Sequence, residues 1–312
     1  MRLAGIDAIG RGLSNLRANR ELVLAQCLAT VLLLGLSVLS LLPLFVALGM
    51  SLADFAGTAP EEALARLADP GLWLSPGVLA ALGGGVVLGT VAIAVYSWFQ
   101  AGIFGVLIAG DRQAGAGGRR PHELFRNFNW GDFAQWGRLR VWRFFAWYHL
   151  FVLVGMASML LLALLLLAAV GVGLSQGLIA GLAVGCGGAL PLFALLVLVG
   201  LVGEAAKGDL ARQDSGAGAS WRRGARVVGR RPGAALLMLL LWICASMGLS
   251  VFLVPLQLAG DFGLRDQPFA HISLEAIVFV LQVVLGALLG LAYGASWVAL
   301  VRAELPDSAA AR

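Results

Sequence analysis

Charged side chains are scarce in this sequence: Asp, Glu, Lys and Arg make up 12% of the 312 residues, whereas 60% are hydrophobic. A soluble domain usually carries about 25% charged residues. A larger core cannot account for so large a deficit. The shortage of charge therefore excludes an ordinary soluble domain and favours membrane-spanning helices.

Lysine is almost absent, since Lys207 is the only one in the chain. A phosphate-binding P-loop needs a lysine after its last glycine, where the ammonium reaches the phosphates. The glycine-rich stretch "AGAGGRRP" at 114–121 lacks that lysine and the Ser or Thr that follows it. We interpret it as a flexible hairpin tip, and we predict no cofactor.

Groupings of metal ligands and of redox cysteines are also missing. The chain has three histidines and three cysteines: His122, His149, His271, Cys27, Cys186 and Cys244. The histidines are far apart and form no HExxH motif, and the cysteines lie in apolar segments without CxxC spacing. We predict no metal site and interpret the cysteines as reduced packing residues.

One catalytic pattern does occur, because "GLSQG" at 173–177 matches the GxSxG motif around Ser175. His271, Asp261 and Asp266 should lie on the same side of the membrane. A nucleophile elbow, however, needs a strand, a sharp turn and a helix, whereas here a tight turn joins two apolar helices. The sequence therefore predicts a protein without enzymatic activity.

Long apolar stretches are what the sequence has in abundance. About 20 helical residues cross the roughly 30 Å hydrocarbon layer, so the uncharged stretch 144–203 must cross twice. We predict a single membrane domain, 1–312, of the all-α class with six spans. The predicted spans are 24–49, 77–109, 144–170, 177–203, 233–257 and 275–301.

Positive charge is sorted to one side of these spans. All but two of the 22 Lys and Arg residues fall in four segments, 1–23, 110–143, 204–232 and 302–312, leaving Arg66 and Arg265 opposite. By the positive-inside rule these segments and both termini are cytoplasmic, in the inner membrane of a bacterium. On the other side, "TAPEEALARLADPG" at 58–71 predicts a short capped helix.

A basic, partly amphipathic segment, here called an arm, precedes each odd-numbered span: the first arm is 3–20, the second 119–143 and the third 216–234. The first, "LAGIDAIGRGLSNLRANR", places apolar residues at helical spacing with arginines elsewhere on the wheel. We predict that the arms bind anionic lipid headgroups or a membrane or cytoplasmic protein partner. The candidate residues are Arg119, Arg120, Trp136, Arg138, Arg140, Arg143 and Trp147 around the second arm and Arg222, Arg223, Arg226, Arg230 and Arg231 in the third.

Residues 136–151, "WGRLRVWRFFAWYHLF", combine arginines and rings in a way that would also suit single-stranded nucleic acid, on whose bases rings can stack. The apolar run directly after them instead favours the interfacial foot of a span, where Arg, Trp and Tyr meet the headgroups. No nucleic-acid partner is predicted.

Small residues spaced by four recur in the even-numbered spans. The candidate packing residues are Gly85 and Gly89 in span 2, Gly177, Gly181 and Gly185 in span 4, and Gly286, Gly290 and Gly294 in span 6. Such stripes let helices approach closely in lipid, although a chain with 42 glycines produces some spacings by chance. We predict three pseudo-repeated units, each an arm followed by a helical hairpin, with the even spans central and the odd spans peripheral. Whether the glycine stripes pack within one chain or between the chains of a homo-oligomer stays open.

Two functions remain open. The first is an accessory or scaffold component whose arms bind lipid or a partner. The second is a carrier or export component for a small or amphipathic substrate, for which Gln100, Gln257, Gln282 and Tyr293 are the polar candidates inside the spans. A cavity reaching Gln100 would favour transport, and a solid interior would favour scaffolding.

The organisation resembles bacterial six-span membrane families, including the membrane domain attached to some glycerophosphodiester phosphodiesterases. The matching stretches are "GIFGVLIAGDRQAG", "FRNFNWGDFAQWGRLRVWRFF" and "EAAKGDLARQDSGAGASWRRGARVVGRRPGA". The resemblance implies a multi-pass inner-membrane protein and carries over no catalytic residue.

Overall fold

Helices dominate the computed structural model, which describes residues 5–47, 70–115, 117–212, 216–264 and 267–305. The helix predicted around 58–71 lies mostly outside these residues. In chain order the α-helices are α1 Gly5–Ala18, α2 Leu22–Ala47, α3 Pro70–Trp73, α4 Pro76–Gln113, α5 Trp130–Gln176, α6 Leu178–Arg212, α7 Ala217–Arg230, α8 Pro232–Leu258 and α9 Pro268–Glu304. The part of the chain described contains no strand, as the all-α prediction requires.

Six of these helices, α2, α4, α5, α6, α8 and α9, are long and apolar enough to cross a membrane. This confirms the predicted number of spans. Several of these helices extend beyond the predicted spans, because a helix can continue past its apolar residues. For example, α5 has 47 residues and is therefore about 70 Å long at 1.5 Å per residue.

From Trp130 on, the second arm is thus continuous with span 3. Asn129 caps the start of α5, its side-chain oxygen accepting from the backbone N–H of Gly131 at 2.7 Å. Beyond that cap, α5 runs without interruption to Gln176, where Gly177 at φ +98° makes a one-residue turn into α6. Gly177, predicted as a packing residue, serves here to supply a backbone conformation that side chains disfavour.

The three even-numbered spans, α4, α6 and α9, contact one another and form the centre of the bundle. Of the odd-numbered spans, α2 packs on α4 and α9, α5 on α4 and α6, and α8 on α9. The predicted arrangement of central even spans and peripheral odd spans is therefore confirmed.

Each arm lies on the end of a central helix and touches it through a glycine. A Cβ on Gly12 of α1 would lie 2.6 Å from the backbone nitrogen of Ser296 in α9. A Cβ on Gly224 of α7 would lie 2.6 Å from the carbonyl oxygen of Val202 in α6. The second arm, at the start of α5, packs on α4, where Gly137 faces the ring of Trp98. Because the first arm packs on the last span, each of the three central helices carries one arm, and we call this arrangement the ring of arms. We call this side of the bundle the arm end, and the opposite side the far end.

The predicted glycine stripes pack within the chain at four of their eight positions. Gly85 approaches the Ser40 carbonyl, Gly181 and Gly185 approach Ala169, and Gly294 approaches the ring of Phe104. At the other four, no neighbouring helix among the described residues lies within 4 Å of where a Cβ would stand: Gly89, Gly177, Gly286 and Gly290. A stripe of small residues forms a contact only where another helix reaches it, and spacing alone does not say where that is.

Candidate functional site: the arm end and its central cavity

Acidic residues at the arm end of the central helices hold the arms. Asp111 of α4 is 2% exposed. Its Oδ1 accepts from Nε of Arg11 in α1, and its Oδ2 accepts from Nη1 of Arg302 in α9 at 2.7 Å. One buried carboxylate thus joins the first arm to two of the three central helices.

The third arm is held in the same way. Asp209 of α6 is fully buried and accepts from Nε of Arg223 in α7 at 2.7 Å. Arg231, just after α7, donates to Glu304 of α9 at 2.6 Å. Our reading of the sequence missed all three acidic anchors. The sequence carries a signal for Asp111 in "GDR" at 110–112, where an acid closes the apolar run of span 2 and an arginine follows. Asp209 in "GDLAR" at 208–212 has no such signal, because Glu204 and Lys207 already stand before it.

Arg11 also organises the glycine-rich turn after α4. Its guanidinium donates to the carbonyl oxygens of Gly115 at 2.5 Å and Gly117 at 3.0 Å. Both glycines have positive φ, at +75° and +131°, where side chains are disfavoured. The turn predicted as a flexible tip is therefore tied to the first arm through its carbonyls, the opposite of a phosphate-binding loop, which uses its amides.

Several predicted lipid-facing residues point inward. Arg140 is 8% exposed and lies over the ring of Trp136 at 4.3 Å from its centroid. Trp136 itself fills the space beside Gly105 of α4. Trp147 is buried and stacks on Trp221 of the third arm, with ring centroids 6.3 Å apart. With Arg223 and Arg231 in ion pairs, these residues hold the arm end together, since one side of each arm must pack on the bundle.

The remaining predicted arginines lie at the surface. Exposed residues are Arg119, Arg138, Arg222, Arg226 and Arg230, while Arg120 and Arg143 are half-buried. In α7, three of them follow one another at intervals of four, so they share one helix face. The opposite face, with Gly224, Val227 and Val228, is buried. We call this row of Arg222, Arg226 and Arg230 the α7 arginine row.

A partly open cavity of about 330 Å³ lies among the central helices. Along α4 it is lined by a single face, from Tyr96 through Gln100 to Leu107, a length of about 16 Å at 1.5 Å per residue. The other walls include Gly200 of α6 and Tyr293 of α9. Most of the lining is apolar.

The charged residues that line this cavity lie at its arm end. Nζ of Lys207 and Oε1 of Glu204 are 2.7 Å apart, and their side chains are 13% and 24% exposed. The ammonium also lies 5.5 Å from the ring centroids of Phe104 and Trp147, a distance at which a ring face attracts a cation. The only lysine of the chain therefore stands in an aromatic corner of the cavity.

Polar contacts continue deeper in the bundle. Nε2 of Gln100 donates to Oε1 of Gln26 at 2.8 Å, which links spans 2 and 1. Gln100 thus makes an interhelical hydrogen bond and also lines the cavity. Gln257 and Gln282 line a separate cavity near the far end, and only Tyr293 of the other candidates joins Gln100.

The serine of the GxSxG pattern lies in the last turn of α5 in ordinary helical geometry. Its Oγ donates to the carbonyl oxygen of Gly171 at 2.9 Å, a common arrangement for serine in a membrane helix. His271 pairs with Glu275 at 3.2 Å, and the side chains of Asp261 and Asp266 lie outside the described residues. Within the described ranges, no three His, Cys, Asp or Glu residues cluster as metal ligands would.

No family model matches the chain, and neither a curated protein nor a solved structure matches it. The resemblance to six-span bacterial families therefore stays a prediction. What the chain itself establishes is a multi-pass membrane fold with a ring of arms at one end.

Proposed function

We propose that this protein is an accessory or scaffold component of a bacterial inner membrane, without catalytic activity, whose arm end faces the cytoplasm and binds anionic lipid headgroups. The six spans make it a multi-pass membrane protein. The inner membrane and the cytoplasmic placement of both termini are supported by the sorting of positive charge.

The observation that carries the proposal is the α7 arginine row. Its helix is fixed to the bundle through Gly224 and the Arg223–Asp209 ion pair, so the row is held in one orientation at the membrane boundary. Each arginine near an anionic surface contributes about 1 kcal/mol of attraction. Because the arm is already ordered, little conformational entropy opposes this binding.

The test is lipid selectivity of the purified full-length protein in nanodiscs that contain equal amounts of phosphatidylglycerol and phosphatidylcholine. Replacing the row by glutamine (Arg222→Gln, Arg226→Gln, Arg230→Gln) should abolish most of the enrichment of phosphatidylglycerol around the protein, measured by mass spectrometry of retained lipid. The matched triple replacement by lysine keeps the charge and should keep the enrichment. Equal enrichment in the wild type and the glutamine variant would refute the proposal.

A carrier or export component is the second candidate function, and the cavity favours it. Its lining includes Gln100 at membrane depth, about 16 Å of helix from Asp111. Transport requires that water or substrate reach this depth. In a variant without native cysteines, Gln100→Cys should react with a membrane-impermeant maleimide, whereas Leu195→Cys, exposed on the outer surface of α6, should not because lipid covers it. Absence of labelling at position 100 would count against transport.

A further inference from the structure

We propose that the central cavity binds a zwitterionic single-chain amphiphile, with its headgroup at the Lys207–Glu204 pair and its chain along the apolar lining formed by Ile103, Val197 and Leu201. The inference deepens the carrier function by naming a ligand class. Binding can be measured without transport, so the two can fail separately.

The shape and lining of the cavity indicate an amphiphile. Its volume of about 330 Å³ is at the lower end of the range for small-molecule pockets. The two charged residues stand at the arm end, and Val197, Leu201 and Ile103 line it with apolar surface. Gly200 and Gly290 add no side chain to the walls, which leaves room for an extended hydrocarbon chain.

The charge balance indicates a zwitterion. Among the described residues that line the cavity, Lys207 carries the single positive charge and Glu204 the single negative one. A headgroup of one sign would bring an uncompensated charge into a low-dielectric site, which is costly. A headgroup with both signs leaves the site neutral, since its anion faces the lysine and its ammonium faces the glutamate.

The geometry of the pair leaves capacity for such a ligand. The ammonium of Lys207 has three N–H donors, and it pairs with Oε1 of Glu204. A headgroup can therefore use the other N–H donors of the lysine and the second carboxylate oxygen of the glutamate. Phe104 and Trp147 attract the ammonium through their ring faces, and ring faces attract a cation without requiring a particular hydrogen-bond direction. Both charged side chains are partly exposed, so a headgroup can reach them.

In the experiment, amphiphiles of equal chain length compete for binding to the full-length protein in a non-ionic detergent. Native mass spectrometry measures how much of each amphiphile the protein retains. The probes are lysophosphatidylethanolamine, a fatty acid and an alkylammonium, with glycerophosphoethanolamine as the headgroup without a chain. The wild type should retain the lysolipid about tenfold better than either single-charge amphiphile, and the chainless headgroup should not bind. Equal retention of all three amphiphiles, or preference for a single-charge one, overturns the proposal. Binding of the chainless headgroup as tight as that of the lysolipid also overturns it.

Two single substitutions should change the preference in opposite directions. Glu204→Gln leaves a net positive site and should favour the fatty acid, whereas Lys207→Gln leaves a net negative site and should favour the alkylammonium. Glu21→Gln removes an exposed carboxylate at the same end of the bundle and should keep the wild-type order. A purely structural ion pair would leave the order unchanged in all variants, which would also overturn the proposal.

If a single variant does not fold, the double exchange Glu204→Lys with Lys207→Glu keeps the ion pair. This exchange variant should retain the preference for the zwitterion. Loss of that preference in the folded exchange variant would count against the proposal.

Discussion

The arm end and the far end of this bundle are built differently from the same helices. At the arm end, α4 buries an almost continuous run from Phe99 to Asp111, and acidic anchors join the arms to the centre. Toward the far end, α5 has no buried residue after Trp147 although all of α5 is described. Lipid can solvate apolar side chains as well as another helix can, so the far end needs little packing. The arginines that join the arms to the bundle are not stabilised by lipid in this way, and they pair with carboxylates on the central helices.

This difference predicts the largest effect at Asp111. The substitution Asp111→Asn removes the negative charge shared by Arg11 and Arg302 and leaves a buried guanidinium without it, which should cost about 3–5 kcal/mol of stability. Glu275→Gln, at the far end, alters a largely exposed pair with His271 and should cost too little to measure. Thermal unfolding in detergent compares the two variants. Equal losses would mean that the ends are not stabilised differently.

A smaller effect is expected where an arm touches the bundle. Gly224→Ala places a methyl group against the Val202 carbonyl and the backbone of Ala206, and such overpacking typically costs about 1–3 kcal/mol. Gly89→Ala is the matched control, since none of the helices that the structure describes comes within 4 Å of its Cβ position. Because alanine is the better helix former, the control should be neutral or slightly stabilising in the same unfolding measurement.

The smallest effect is expected at Ser175, at the far end of α5. Its Oγ bonds only to carbonyls of its own helix, and the residue is exposed. Ser175→Ala should change stability by less than about 0.5 kcal/mol and should leave lipid binding intact. A well-folded Ser175→Ala protein that has lost lipid retention would show that the far end has a role not apparent from its packing.

Much of the fold could be predicted because its causes are local. Spans 3 and 4 follow from an uncharged stretch too long for one crossing, and the division between them follows from glycine and serine at 171–177. Even the central position of α4, α6 and α9 had a local signal in their small residues. Several helices extend past the predicted spans, because a helix that leaves the membrane meets water without any change in its backbone hydrogen bonds.

The candidate site was harder to predict because it depends on which face of a helix each residue occupies and on partners that are distant in the sequence. Arg138 and Arg140 are two residues apart in one helix, yet the first is exposed and the second is buried against Trp136. The sequence shows Lys207 to be the sole lysine, but it does not show its neighbours Phe104 and Trp147, which come from two other helices. Spacing in one segment carries no information about such partners.

The amino-acid sequence by itself determined the number of spans and the sorting of positive charge, because both depend on transfer of side chains between water and lipid. The tertiary structure decided which arginines hold the arms, which residues line the cavity and that the first arm packs on the last span. These features join residues as far apart as Arg11, Asp111 and Arg302. A buried charge must be neutralised by whichever partner the packed helices bring beside it, and only the assembled bundle specifies that partner.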